Sequence, residues 1–146
     1  MKIYLDACCL NRPFDDQTQD RIHLEAEAVL SIIQHVEQHD WQWVSSDAIA
    51  YEISKTSDED RQNKLWALES RATEILDLTD AILQHAQTIQ QLGFTSYDAL
   101  HLAFAISADV DIFLSTDDKL LKRAHRYPEV IKITVSNPLS WLQEII

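Results

Sequence analysis

Apolar and polar positions change rhythm several times along this chain. Lys2–Leu5 is a short β-type run, and Asp6 follows it at once. An apolar stretch comes next, and Asn11, Arg12 and Pro13 then read as a loop. From Gln19 to His39 the residues Ile22, Ala26, Val29, Ile33 and Val36 recur at alternating intervals of four and three, one apolar stripe on a long helix. Trp41–Val44 alternates through Gln42 and predicts a second strand. Ser46 or Asp47 caps the next helix, on which Ala48, Ile49, Glu52 and Ile53 share a face. Glu52 therefore sits on the stripe that points inward, unless it reaches water at the rim or pairs with Lys55. Asp58–Ala72 is a charged helix carrying Leu65, Trp66 and Leu68, its alternating acids and bases typical of a solvated face. Glu74–Leu78 is a third short strand. Thr79 caps a helix over Asp80–Leu92, and Gly93 ends it.

Tyr97–Ile106 breaks the pattern, because only Asp98 and His101 in it are polar. A helix apolar nearly all round is buried, and Ser96 is its predicted cap. A carboxylate on such a helix must be paired, protonated or bound to a metal, since an isolated buried charge is very unfavourable. Asp111–Leu114 is a fourth strand, running into Ser115, Thr116, Asp117 and Asp118 and then a helix. This repeats the arrangement at Asp6, an apolar strand followed by an acid. Lys132–Val135 forms the last strand. Asn137 caps a final helix with Pro138 in its first turn and Trp141, Leu142 and Ile145 on its apolar side.

Short strands alternating with helices predict a three-layer α/β/α sandwich with a mainly parallel sheet, one domain over residues 1–146. A chain of 146 residues that is 46% apolar is long enough for a substantial core. One Gly and three Pro argue against an all-β fold built on tight turns. Charged residues interrupt the N-terminus early and no run of 18 apolar residues occurs, so neither a signal peptide nor a membrane span is expected. Cys8 and Cys9 are adjacent and make no disulfide framework; they read as small buried hydrophobes in a reducing cytoplasm. The net charge of −12 argues against general affinity for nucleic acid. It leaves room for an enzyme that handles phosphates through a metal.

Four acids stand out from this pass: Asp6 and Asp117 after strands, Glu52 and Asp98 on inward helix faces. Packed together without cations they repel, and their pKa values rise. A hard divalent cation, Mg²⁺ or Mn²⁺, relieves that penalty with oxygen ligands and retained waters. The implied chemistry is metal-assisted phosphodiester hydrolysis. No His/Cys spacing suggests zinc, and neither a Gly-rich phosphate loop nor a Gly-x-Ser-x-Gly elbow is present. Open α/β sheets bind ligands outside the carboxyl ends of their strands, where Asp6 and Asp117 lie.

At these residues the sequence resembles the PIN-domain family, and more narrowly the VapC-type toxins of bacterial toxin–antitoxin pairs. IYLDAC at the N-terminus, AIAYEI around Glu52, TSYDALHLA around Asp98 and FLSTDDKLL around Asp117 carry the likeness over essentially the whole chain. The resemblance implies a metal-dependent endoribonuclease in which Asp6, Glu52, Asp98 and Asp117 form the acidic quartet. Asp6, Asp98 and Asp117 are then metal ligands, direct or through water, and Glu52 is a ligand or the general base for the attacking water. Asp118 is an alternative to Asp117. Ser115 or Thr116 would bond a metal water or a phosphate. The family usually has Thr or Ser soon after its first acid; Ala7, Cys8 and Cys9 stand there here, with Asn11 as a substitute. Arg12, the one cation between Lys2 and Arg21, would meet a phosphate or simply sit at the surface. The resemblance further implies an RNA substrate, a homodimer and a cognate antitoxin that blocks the site, often with an arginine, which an acidic pocket suits.

His101 reads first as a hydrogen-bonded core histidine and only second as catalytic. Lys119, Lys122, Arg123 and Arg126 form one stripe, either a track for an RNA backbone or a solvated helix face. Trp41, Trp43, Trp66 and Trp141 read as core or dimer contacts before base-stacking platforms. Two other classes compete with the enzyme: a non-catalytic PIN-like binding module and a phosphoacceptor signalling domain. The intact quartet favours the enzyme over the module. A single acid at the first strand counts against the phosphoacceptor.

Overall fold

The computed structural model describes residues 1–146. Five strands, β1 (Lys2–Leu5), β2 (Gln42–Ser46), β3 (Glu74–Leu76), β4 (Ile112–Leu114) and β5 (Thr134–Ser136), form one sheet in the order β3-β2-β1-β4-β5. Every pairing is parallel. Helices flank this sheet in an α/β/α sandwich: α1 (Ala7–Asn11), α2 (Asp20–Glu37), α3 (Asp47–Ser54), α4 (Glu59–Glu69), α5 (Asp80–Gln90), α6 (Ser96–Ser107), α7 (Asp118–Arg126), α8 (Pro128–Ile131) and α9 (Pro138–Ile145). Strands covered on both faces read as continuous apolar runs rather than alternating ones. Ile3, Tyr4 and Leu5 of β1 are accordingly all fully buried.

The chain builds the sheet outward from β1 in one direction, then returns to its other side with β4 and β5. Such a reversal opens a crevice at the carboxyl ends of the two strands that flank it. Leu5 lies opposite Leu114 in the ladder, so Asp6 and Ser115 emerge side by side. The Asp6 N–H still donates to Leu114 O at 3.0 Å, which ties this loop to the sheet.

Helix α6 runs through the interior as its composition predicts. Ala99, His101, Leu102, Ala103, Phe104 and Ala105 have no exposed surface. It packs against α5 on one side and α3 on another. Its cap is Thr95 rather than Ser96: Thr95 is extended, and its Oγ1 accepts from the Asp98 N–H at 3.2 Å. The segment read as a loop at Asn11–Pro13 is helical instead. The Asp6 carboxylate accepts from the Ala7 N–H and starts α1, and a tight 3-10 turn over Arg12–Phe14 follows. Apolar Ala-Cys-Cys-Leu carries no period long enough to reveal a five-residue helix. Helix α8 was also not expected; Pro128 starts it and Lys132, at φ +62°, ends it. Strand β2 extends to Ser45 and Ser46, which are fully buried because Glu69 and Tyr4 supply their hydroxyl partners. Trp43 is core, Trp41 and Trp141 pack against each other at 5.3 Å, and Trp66 is partly exposed.

Gly93 sits at φ +106°, a backbone conformation that side chains resist. A Cβ there would meet Arg123 Nη1 at 2.3 Å, because the guanidinium folds over this turn to donate to Leu92 O. Gly93→Ala is expected to destabilise the protein by about 1–2 kcal/mol, measured by urea unfolding. Removing the flexible Arg123 tip should relieve the contact but not the backbone strain, so Arg123→Ala in the same background should restore only part of the loss.

Candidate active site

Asp6 is nearly buried, and its carboxylate is held from three sides. Oδ1 accepts from the Ala7 N–H at 2.8 Å, and Oδ2 accepts from the Ser115 hydroxyl at 2.9 Å and the Cys8 thiol at 3.5 Å. Ser115 also accepts the Asp117 N–H at 3.1 Å, so one hydroxyl couples the ends of β1 and β4. Cys8 stands where a hydroxyl was looked for. Its sulfur meets Ser115 Oγ and the Thr116 N–H, each at 3.3 Å.

Asp117 is the N-cap of α7. Its Oδ1 accepts from the Lys119 and Leu120 N–H groups at 2.9 and 3.3 Å, which fixes the carboxylate at the mouth of the crevice. Asp118 faces elsewhere and is clasped by both terminal nitrogens of Arg21 at 2.9 and 2.8 Å. That hydrogen bonding holds its pKa below the usual carboxylate range. Of the two adjacent acids, Asp117 is the one whose charge acts on Asp98.

Asp98 lies in the first turn of α6. Burial, then the charges of Asp6 and Asp117, push its pKa up to about 6. His101 offsets part of this crowding. Glu52 enters from the last turn of α3. Its Oε1 lies 2.6 Å from His101 Nε2, and the same nitrogen is 3.7 Å from Asp6 Oδ1. The charges of Asp6 and Asp117 thus act on Asp98, and His101 faces Asp6, Glu52 and Asp98, so β1, α3, α6 and the β4–α7 turn bring the four acids into one neighbourhood. As the side chains stand, no three carboxylate, imidazole or thiol groups meet at a single coordination point.

His101 is fully buried, and both ring nitrogens are used: Nε2 toward Glu52 and Nδ1 toward Tyr4 Oη at 2.7 Å. Burial pulls its pKa down, but the Glu52 hydrogen bond and the charges of Asp6, Glu52 and Asp98 outweigh this and hold it above the ordinary imidazole value. It is a hydrogen-bonded core histidine that also touches the quartet. Tyr4 Oη lies 2.7 Å from Ser46 Oγ, and burial raises the Tyr4 pKa well above that of a free phenol. The sequence pattern missed Tyr4 and Ser46. The available signal was the period of two, which puts Tyr4 on the same face of β1 as Asp6.

The predicted phosphate contacts divide. Thr116, Asp117 and Lys119 line a cleft of about 560 Å³ together with Arg12 and Arg21. Asp98, Asp117 and Lys119 line a second cleft of about 150 Å³ beside Gly93 and Arg123. Lys119 is exposed between the two and forms no ion pair. Arg12 is already divided between Glu25 at 2.9 Å and Asp15 at 3.1 Å. Glu25 is a buried acid of α2 that the sequence pass overlooked; it also binds Arg21 and the Asn137 amide. The Asn11 amide is spent on Ala7 O and on Arg61. Ser115 is buried on Asp6 and presents no free face. Lys122 and Arg126 are exposed, whereas Arg123 is partly buried over Gly93.

A parallel sheet with carboxylates gathered at its switch point defines an α/β domain whose acidic crevice suits a hard cation. The sequence matches the PIN domain over residues 3–126, and the chain belongs to the PIN-domain family. No curated protein sequence matches it. Among solved structures it is similar to VapBC2 from Rickettsia felis bound to a DNA fragment from its promoter, at 16% identity and a TM-score of 0.60. It is also similar to VapBC-1 from nontypeable Haemophilus influenzae, at 14% identity and a TM-score of 0.58. Each likeness covers 94% of this chain and 98% of the other. At these identities the likeness concerns the fold. No helix is long and apolar enough to cross a membrane.

Proposed function

We propose that this protein is a Mg²⁺- or Mn²⁺-dependent endoribonuclease of the VapC type, the toxin of a toxin–antitoxin pair. The observation that carries this reading is the grouping of Asp6, Glu52 and Asp98 about His101 with Asp117 facing Asp98, where burial and then the charges of Asp6 and Asp117 raise the Asp98 pKa. Neighbouring carboxylates at a switch point fit a hard divalent ion, and the donor set is oxygen throughout. Because no three side chains meet at one point, some of the four would act through water, as is usual for Mg²⁺. When bound, the ion would supply an acidified water and polarise a phosphoryl oxygen.

The residues divide the work. Ser115 and the Ala7 N–H keep Asp6 oriented in a nearly buried place. Helix α7 fixes Asp117 through two backbone donors. Glu52 has one oxygen held and the other without a protein partner, which suits it to take a proton from water or to bind the ion. Lys119 is positioned between two clefts to meet a strand that crosses Asp117. Ion-paired Arg12 and internally bonded Asn11 hold the wall of the site in shape and make weaker candidates for contact with the strand. The likeness to two VapBC structures supports an antitoxin as partner. A homodimer, residence in the cytoplasm and a single domain over 1–146 complete the reading.

Purified protein incubated with a panel of structured RNAs should cleave at discrete positions with Mg²⁺ or Mn²⁺ and not with chelator. A folded preparation that leaves every RNA intact in both metals would reject the nuclease reading in favour of a non-catalytic PIN-like module.

A further inference from the structure

We infer that His101 is a positioning residue for Glu52, holding one carboxylate oxygen through a buried hydrogen-bond chain that begins and ends on α3. The inference rests on the nuclease reading above. The chain runs through four side chains. Ser46 Oγ accepts from the Ile49 N–H at 3.4 Å, Ser46 meets Tyr4 Oη at 2.7 Å, Tyr4 meets His101 Nδ1 at 2.7 Å, and His101 Nε2 meets Glu52 Oε1 at 2.6 Å. With the proton on Nε2, every link is consistent in one direction. The Ser46 hydroxyl donates to Tyr4, the Tyr4 hydroxyl donates to Nδ1, and Nε2–H donates to the carboxylate. Each hydroxyl accepts once and donates once, and no donor faces a donor.

Two observations separate positioning from mere satisfaction of a core histidine. A buried imidazole needs partners for both nitrogens, but backbone carbonyls would serve. Here the outward bond goes to a quartet acid, and the same nitrogen lies 3.7 Å from a second one, Asp6. The other observation is the architecture. Glu52 is half-exposed on the last turn of a helix, with a flexible side chain whose rotamer freedom an ion or water would have to quench. Fixing it in advance from β1 and α6 removes that penalty, and partners of this kind are what orient metal-binding groups elsewhere. Tyr4 is itself immobile, fully buried and stacked on Phe113 with centroids 5.4 Å apart. The hold on Glu52 is therefore anchored in the central strand.

Four variants and three readouts test this. Tyr4→Phe cuts the chain one link away from Glu52 and keeps the ring. His101→Leu removes the donor, and His101→Gln returns an amide N–H near the position of Nε2. Tyr4→Phe and His101→Leu should weaken Mn²⁺ affinity, measured by calorimetry, and lower kcat by about 10–100-fold with KM for RNA unchanged. His101→Gln should recover most of both. Nitrogen-15 spectra of the metal-free native protein at alkaline pH, where the imidazole is neutral, should give His101 as the Nε2–H tautomer with a proton protected from exchange, and Glu52→Ala should remove that protection. If His101→Leu does not fold, Tyr4→Phe decides. Native-like Mn²⁺ affinity and kcat in folded Tyr4→Phe, or an unprotected Nε2 in the native protein, overturns the positioning role while leaving the nuclease intact. A native protein that neither binds Mn²⁺ nor cuts RNA overturns the nuclease reading and this inference together.

Discussion

Asp98→Asn should end metal-stimulated RNA cleavage and, in the absence of metal, make the protein more stable. The two effects share one cause. Folding places Asp98 in a partly desolvated spot facing Asp6 and Asp117, and its pKa rises to about 6. A carboxyl whose pKa is higher folded than unfolded takes up protons more readily in the folded state. Its penalty is therefore absent below about pH 4, grows between pH 4 and 6, and is complete above that. A shift of this size corresponds to about 3 kcal/mol at most, and solvent screening of a partly exposed group reduces it to about 1–2 kcal/mol. Asparagine keeps the shape and drops the charge. At pH 7 without metal the variant should melt about 3–6 °C higher than the native protein, and at pH 4 the difference should vanish. Cleavage should fall by more than the roughly 10–100-fold typical of partners one layer further out. Unchanged Mg²⁺-stimulated cleavage by Asp98→Asn, in a preparation free of other nucleases, would remove this residue from the active site.

Divalent metal should stabilise the native protein strongly and the Asp6→Asn/Asp117→Asn variant not at all. An ion that binds only the folded state at a hundredfold excess over its Kd adds about 2.7 kcal/mol. For a chain of this size that is a rise in Tm of about 5–10 °C. Asp6 and Asp117 stand at the ends of adjacent strands β1 and β4, coupled through Ser115. Removing both charges takes away the half of the quartet that the sheet itself positions. Both substitutions keep an acceptor oxygen for the capping bonds of α1 and α7, so the fold should persist. Equal Mn²⁺-induced shifts in the two proteins, followed by differential scanning calorimetry, would place any bound ion elsewhere on this acidic surface.

Glu25 and Glu69 show why composition misleads about acids. Neither is marked as an inward acid by the linear pattern, yet both are buried, Glu25 against Arg12, Arg21 and Asn137, and Glu69 against Ser45. Burial raises the Glu69 pKa. Their partners are supplied by the packing around α2 and α4. The same packing claims Arg12 and Asn11, which the linear sequence left free to meet a phosphate. Arg61 reaches Asn11 across 50 positions of sequence.

Period and capping are local properties, and they were sufficient for the strands, for most helices and for the inward direction of Glu52 and Asp98. The apolar wrap of α6 marks Asp98 and His101 in the sequence, because neighbours along a helix decide which side chains are drawn away from water. The strand-then-acid pattern found both ends of the future crevice for the same reason. The sheet order is another matter: β1 pairs with β4 across more than a hundred positions of sequence. That long-range pairing brings Ser115 to Asp6, and the packing of α6 against α3 brings His101 to Glu52. The amino-acid sequence thus determined which groups must be buried and therefore need partners. The tertiary structure alone decided which partners they found, since contacts between distant segments depend on how whole elements pack and leave no period in the chain.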